Sequence, residues 1–176
     1  MADASVSDVM ADAGLTVGGF YAHFDSKEAL AEAAVRQGLK ERRELFLERP
    51  DKDGWLQRLQ SALKEYFSQQ HRDDIPNGCP MPMAAMDAAR SGIAAEAFVE
   101  EFVKMAEAFE RGQDAAGSRA PREAVLGSLS LMVGGMILAR AAGGSALSDE
   151  ILEAAQEFAA AALSGLAQGN GKGRNK

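Results

Sequence analysis

The chain has 176 residues, of which 47% are hydrophobic and 26% charged, and its formal net charge is -7. This composition is that of a globular protein and excludes a disordered or collagen-like chain. The acidic balance argues against a general nucleic-acid coat. The single cysteine, Cys79, excludes an internal disulfide framework and fits a reducing compartment. The acidic start carries no apolar signal run, and the stretch 123–140 is too mixed to span a bilayer, so we expect a cytoplasmic protein without a membrane partner.

Two short amphipathic helices are predicted before residue 25. The first begins after Ser5, which with Asp8 forms a capping-box-like pair, and it ends at Gly14. The second begins after Thr16. Each helix repeats apolar residues at positions i, i+3, i+4 and i+7: Val6, Val9, Met10 and Ala13, then Val17, Phe20, Tyr21 and Phe24. Two short helices joined by a Gly-containing turn are the layout of a helix-turn-helix DNA reader.

Longer helices follow, and no strand pattern or repeat is found, so an all-α fold is predicted. The predicted helices cover residues 27–48, 53–70, 83–90, a segment ending at Gly112, 121–142, and one that starts at the cap Ser148. A loop is predicted at 71–82 and a linker at 113–120. The predicted domains are an incomplete helix-turn-helix domain with its linking helix at 1–50, a helical ligand-binding and dimerisation domain at 51–168, and a disordered tail at 169–176.

Residues 14–30, GLTVGGFYAHFDSKEAL, resemble the turn, recognition helix and following helix start of the TetR family of bacterial repressors. The resemblance extends back through residues 5–10. The segment 77–81 is similar to a Gly-Cys turn of some members. The resemblance implies a homodimer that binds double-stranded, palindromic operator DNA and is released by a small ligand in the carboxy-terminal domain. The sequence departs from the family at the amino terminus, because the family's first helix and basic arm have no counterpart before Ser5.

The candidate DNA-binding residues lie in these first helices. Tyr21 and Lys27 align with family positions that touch phosphates, and both side chains can donate hydrogen bonds to a phosphate. The first turn of the recognition helix can read base edges in the major groove through Thr16, Val17, Gly18 and Gly19. Ser5 and His23 complete the candidate set, although Thr16 and His23 are also explained as helix-end groups and Phe20 and Phe24 as core. The net charge of -3 over residues 1–50, from six basic and nine acidic residues, counts against DNA binding.

A ligand pocket is predicted in the second domain, because methionines and aromatic side chains there form an adaptable apolar surface. Plain core packing explains each of them equally well. The candidate ligand-binding residues are Trp55, Phe67, Met86, Phe98, Phe102 and Met132. Cys79 is interpreted either as a small apolar side chain or as a sensing thiol. No metal site, cofactor or acid–base constellation is recognised, so no catalytic residues are assigned.

These observations predict a homodimeric, ligand-responsive transcriptional regulator, a repressor of the TetR type. Its DNA binding is expected to be impaired by the missing first helix. Two alternatives remain open: a ligand-binding or protein-interaction module that no longer binds DNA, and a small helical enzyme. The net negative charge of the first 50 residues favours the first alternative, and the lack of an acid–base constellation disfavours the second.

Overall fold

A computed structural model describes residues 4–47, 54–111 and 119–172, except the side chains of Leu47 and of 168–172. Within these ranges the fold is all-α, as predicted, with nine helices and no β-sheet. The helices are α1 (Val6–Asp12), α2 (Val17–Tyr21), α3 (Lys27–Leu47), α4 (Gly54–Tyr66), α5 (Gln69–Asp73), α6 (Met81–Ser91), α7 (Ala95–Glu110), α8 (Arg122–Ala141) and α9 (Ala146–Lys172).

Helices α1 and α2 form an amino-terminal unit. Side-chain caps stabilise the start of each helix. The predicted capping box is present, because the Asp8 backbone N–H donates to Ser5 Oγ and the Asp8 carboxylate accepts from the Ser5 backbone N–H. Gly14 adopts a φ of +67°, a left-handed conformation that glycine tolerates and that turns the chain into α2. Thr16 then caps α2 by accepting the Gly19 N–H. Only Met10 and Phe20 are buried within these two helices.

Helix α3 connects this unit to the rest of the protein, and we call α3–α9 the helical body. The Ser26 hydroxyl accepts the Ala29 N–H at the start of α3. Helix α3 packs along α7, with ion pairs from Arg36 to Glu100 and from Arg43 to Glu101. Leu39 on α3 is completely buried. The linking helix therefore belongs to the core of the body rather than to a flexible connection.

The core of the body lies among α4, α7, α8 and α9. Leu59, Leu63, Leu129, Met136 and Leu163 are among its most deeply buried side chains. Helix α8 lies along α9, and Gly135 lets α8 approach both Ala155 of α9, whose Cβ would stand 3.4 Å from an added Cβ, and the Phe67 ring after α4, at 2.8 Å. The domain boundary predicted near residue 50 lies outside the described residues, as do most of the predicted linker 113–120 and the predicted end of α3.

Helix α8 is, among the described helices, the one that is long and apolar enough to cross a membrane by length and composition alone. This corrects the expectation that the stretch is too mixed to do so. A core helix passes the same test, and 44% of the tested window is buried inside the protein. Val125, Leu129 and Met136 of α8 are almost fully buried against the neighbouring helices. Its packing is that of a central core helix.

Three sequence predictions about the body need correction. The predicted loop 71–82 begins inside α5, which Ser68 caps, and it ends at α6, which starts at Met81. Ser148 is not a cap: Ser145 accepts the Ser148 N–H, and Ser148 is a buried residue of α9 that accepts from Arg72 and donates to the Ala139 carbonyl. Helix α9 continues to Lys172, four residues into the predicted disordered tail, whose last residues lie outside the described ranges.

Candidate nucleic-acid interface and ligand cavity

The face of α2 that would meet a DNA groove is open to solvent. Val17 and Tyr21 are exposed large side chains at opposite ends of this helix, with exposed fractions of 41% and 62%. A Cβ on Gly18 would meet nothing within 4 Å, so the backbone here can approach another surface closely. There is less space at Gly19, because an added Cβ would stand 3.4 Å from Thr16 Oγ1. The α2 face therefore offers a short, exposed backbone with one aromatic hydroxyl at its end.

The remaining candidate DNA-binding residues differ in whether their polar groups already form hydrogen bonds within the protein. Ser5 Oγ donates to Asp8 Oδ2 at 2.6 Å, so this hydroxyl serves the cap of α1. That hydrogen bond, first among the causes, lowers the pKa of the Asp8 carboxyl. Thr16 Oγ1 accepts the Gly19 N–H at 3.2 Å and keeps its own proton for a donor role. His23 is exposed, and Lys27 is half-buried at the start of α3.

An apolar groove of about 440 Å³ lies between α1, α2 and the beginning of α3. Its floor includes Met10 and Phe20, and the Phe20 ring lies 5.7 Å from that of Phe24. The lining is formed by Val9, Met10, Ala13, Gly14, Leu15, Thr16, Gly19, Phe20, His23, Phe24 and Leu30. Phe20 is buried as the core interpretation expects, and Phe24 is half-buried. The groove lies away from the exposed Tyr21 and is a surface to which another apolar element could bind.

The helical body contains a second cavity, of about 480 Å³, which is within the range of small-molecule sites in proteins. It lies between α3, α4, α7 and α8 and reaches the start of α6. Its lining residues are Arg42, Leu45, Phe46, Ala62, Glu65, Tyr66, His71, Cys79, Met81, Met105, Phe109, Leu129 and Met132.

Of the six residues predicted to bind a ligand, only Met132 lines this cavity. Trp55 and Phe67 are buried in the core, and Phe98 and Phe102 stack on each other in half-buried positions on α7. Met86 is exposed, with half of its surface open to solvent. The other five predicted residues lie outside this cavity lining, because burial and cavity lining share the same residue types.

Three polar groups meet in one corner of the cavity, which we call the polar corner: Tyr66, His71 and Cys79. The Tyr66 and His71 rings lie 4.5 Å apart, and the Cys79 backbone N–H donates to His71 Nε2 at 3.4 Å. Burial, the largest cause in each case, raises the pKa of the Tyr66 hydroxyl and of the Cys79 thiol and lowers the pKa of His71. All three groups are therefore held uncharged at neutral pH, and this favours the interpretation of Cys79 as a small apolar side chain over a reactive thiolate.

The cavity is directly connected to the linking helix. Arg42 of α3 lines the cavity and donates to the Asn77 carbonyl in the turn before Cys79. Four residues earlier, a Cβ on Gly38 would stand 2.9 Å from Pro80 Cγ, so α3 and this turn are in close contact. The resemblance at residues 77–81 pointed to this turn, but nothing in the local sequence identified Gly38 or Arg42 as its partners. Among the described residues, no group of three or more His, Cys, Asp or Glu side chains could hold a metal ion.

Comparison with known proteins gives one positive result. Residues 1–34 match the family described as bacterial regulatory proteins, tetR family, and this region contains α1, α2 and the first part of α3. No curated protein matches the chain. The matched region includes the capped two-helix unit and the exposed α2 face, which confirms the resemblance inferred from residues 5–30. Over residues 1–34, the chain is similar to the tetR family of bacterial regulatory proteins.

Proposed function

We propose that this protein is a ligand-responsive repressor that binds operator DNA as a homodimer in the cytoplasm. The family match supports a DNA-binding transcriptional regulator rather than an enzyme. The observation that carries the proposal is the exposed face of α2, where a capped helix of the matched segment presents Val17 and Tyr21 to solvent. A helix of this kind enters the major groove, and its first turn meets the base edges.

The roles of the individual residues follow from their exposure. Thr16 and Val17 read base edges, since a hydroxyl can bond a base acceptor and methyl groups can contact the thymine methyl. Gly18 and Gly19 let the backbone approach the groove. Tyr21 and Lys27 donate to phosphates on either side of α2, with His23 as a further phosphate contact, whereas the Ser5 donors are engaged by Asp8 in the cap of α1. These contacts fix the register of α2 on the duplex.

A homodimer is supported by apolar side chains that remain exposed on α8 and α9. Leu138, Leu147, Phe158 and Leu166 are exposed large hydrophobics, and 70% of the Phe158 surface is open. Gly134 on α8 has open space where a Cβ would stand, which permits close approach by another helix. Pairing α8 and α9 with their copies across a two-fold axis gives a four-helix bundle. Two α2 helices related by this axis would read a palindromic operator.

The open groove of the amino-terminal unit bears on the strength of DNA binding. An element that filled the groove would cover Met10 and Phe20 and fix the angle between α1 and α2. With the groove open, this angle is held mainly by the caps, and we expect the 176-residue chain to bind operator DNA weakly. The competing function is a ligand-binding or interaction module that does not bind DNA, and the acidic balance of residues 1–50 favours it.

An electrophoretic mobility-shift assay with the DNA that flanks the gene, in 0.15 M salt, tests the proposal. We expect a weak specific shift by the 176-residue chain and a stronger one when a basic amphipathic helix is fused in front of it. In the fused protein, Tyr21→Ala should weaken binding by about tenfold or more, through loss of a charge-assisted hydrogen bond to phosphate. The exposed residue Gln57 on α4 provides the control, since Gln57→Ala should leave the shift unchanged. A fused protein without any specific shift would favour the module that does not bind DNA.

A further inference from the structure

The cavity of the helical body has mostly apolar walls. The Phe46 and Phe109 rings are stacked with 3.7 Å between their centroids and an interplanar angle of 3°. Methionines form much of the remaining wall, and their flexible thioethers adapt to aromatic rings. The apolar wall residues are Leu45, Phe46, Ala62, Met81, Met105, Phe109, Leu129 and Met132. Such a surface fits a mostly apolar molecule, and the thioethers favour contact with an aromatic one.

The Tyr66 hydroxyl is the unexplained feature of the polar corner. Tyr66 is 7% exposed, and its hydroxyl lies beside the Cys79 thiol, a weak partner, without a hydrogen bond of normal geometry to any described residue. Leaving a buried hydroxyl unsatisfied is costly, and buried polar atoms in native proteins nearly always have a partner. Because the hydroxyl belongs to a cavity-lining residue, a molecule in the cavity can supply the missing partner.

The neighbouring groups indicate which kind of partner is missing. His71 Nε2 already accepts the Cys79 N–H, so a neutral His71 carries its proton on Nδ1 and is a donor there. Arg42 has donors only, and the one acidic side chain in the lining, Glu65, is exposed at the edge. The Cys79 sulfur is a weak acceptor, so the corner offers mainly donors and no strong side-chain acceptor that is buried among the described residues. Burial disfavours charge on Tyr66, His71 and Cys79 alike, so a buried ligand group here is best matched when it is uncharged.

We propose that the cavity binds a planar aromatic molecule that carries an uncharged oxygen acceptor, such as a ketone, and that this oxygen accepts a hydrogen bond from the Tyr66 hydroxyl. The aromatic body lies against Phe109, Met105 and Met132, and the oxygen lies in the polar corner. The inference rests on the proposed function in assigning the cavity to a ligand, and it adds the chemical class and the residue that selects it.

Three naphthalenes of similar size test the proposal by isothermal titration calorimetry with the full chain. The probes are 2-acetylnaphthalene with a ketone oxygen, 2-ethylnaphthalene without an acceptor, and 2-naphthoate with a charged acceptor. We expect 2-acetylnaphthalene to bind about fivefold to tenfold more tightly than 2-ethylnaphthalene, the difference that one hydrogen bond provides. It should also bind more tightly than 2-naphthoate, because the charged group would lose its hydration.

The variant Tyr66→Phe removes only the hydroxyl and so tests its contribution to binding. It should bring the affinity for 2-acetylnaphthalene to within about twofold of that for 2-ethylnaphthalene, whose own affinity should not change. The unliganded variant should melt no lower than the wild type, because the change removes an unsatisfied buried group. Ser61→Ala, which deletes an exposed hydroxyl from the same helix, is the matched control and should leave all three affinities unchanged.

The outcomes separate the two proposals. Equal affinities for the ketone and the ethyl compound, tighter binding of the carboxylate, or no binding of any probe would each overturn the inference, whatever the DNA assay shows. A Tyr66-dependent preference for the ketone, together with a fused protein that shifts no DNA, would support the ligand class and reject the regulator.

Discussion

The amino-terminal unit and the helical body are stabilised in different ways. In α1 and α2 only Met10 and Phe20 are buried, and the caps at Ser5 and Thr16 provide much of the order. The body has a continuous core that extends from Leu39 on α3 to Leu163 on α9. Short helices are marginal without tertiary packing, so the part of the chain that reads DNA is also the part with the least stability of its own. We expect the two regions to unfold separately.

The largest effect is expected from Phe20→Ala. Phe20 is 2% exposed and, together with Met10 of α1, lines the groove of the amino-terminal unit. Truncating a buried Phe costs about 3–5 kcal/mol, which exceeds what a unit with two buried side chains can lose. Hydrogen exchange should show residues 5–24 unprotected while the protection of α8 and α9 is unchanged. Val99→Ala on the exposed face of α7 is the control. Loss of protection throughout the body would show that the two regions fold as one.

Gly135→Ala tests how tightly the body is packed. The added methyl would stand 2.8 Å from Phe67 Cε1 and 3.4 Å from the Ala155 Cβ, so the Phe67 ring or helix α8 must shift. Overpacking of this kind costs about 1–3 kcal/mol, measured by urea unfolding. Gly127→Ala on the same helix meets nothing within 4 Å and should stabilise the protein by up to about 1 kcal/mol through helix propensity. If both variants behaved alike, the close contact at Gly135 would be disproved.

A smaller effect is expected from Ser5→Ala, which removes one side of the capping box. The Asp8 N–H then loses its acceptor, at a cost of about 1 kcal/mol to the amino-terminal unit. Exchange of the α1 amides should accelerate by roughly fivefold, as this energy implies. The melting temperature of the body should not move. An unchanged exchange rate in α1 would mean that the cap contributes little to the unit.

The smallest effect is the dependence of the body's stability on pH through His71. Burial and the cations Arg140 and Arg42 lower the pKa of His71 below 6.5, against the opposing influence of Glu65 and Asp74. The unfolded state therefore binds a proton first as the pH falls. Stability from this group is complete above about pH 6.5 and decreases below it, toward the folded-state pKa. Urea midpoints at pH 8 and 7 should be alike and the midpoint at pH 6 lower, and His71→Gln should remove this difference. A midpoint that rises toward pH 6 would contradict the assignment.

The parts predictable from the sequence are those encoded by local signals. The starts of α1, α2 and α3 follow from Ser5, Thr16 and Ser26, each of which bonds a backbone N–H within three residues. Helix α5 was missed because its order depends on distant partners. Arg72 donates to Ser148 and Asp149 of α9, and Arg140 of α8 donates to the Arg72 carbonyl. The same network explains why Ser148 lies buried inside α9 and does not cap it.

The cavity could be predicted in kind but not in position. An apolar lining and a buried core use the same residue types, so periodicity cannot tell which of two buried aromatic residues faces a void. Phe67 packs against Gly135, whereas its neighbour Tyr66 lines the cavity. The close contact between Gly38 and Pro80 also joins residues 42 positions apart. Gly38 and Pro80 meet only because α3 packs against the other helices of the body.

Trp55 gives the difference between the two regions a direct optical readout. It is the only tryptophan of the chain, and it is buried in the core of the body, with 4% of its surface exposed. Its fluorescence emission therefore reports the body alone and is insensitive to α1 and α2. Far-ultraviolet circular dichroism reports the helical backbone of the whole protein, including α1 and α2. The separation between the two unfolding curves, recorded on one unlabelled sample, measures how independently the DNA-reading helices melt.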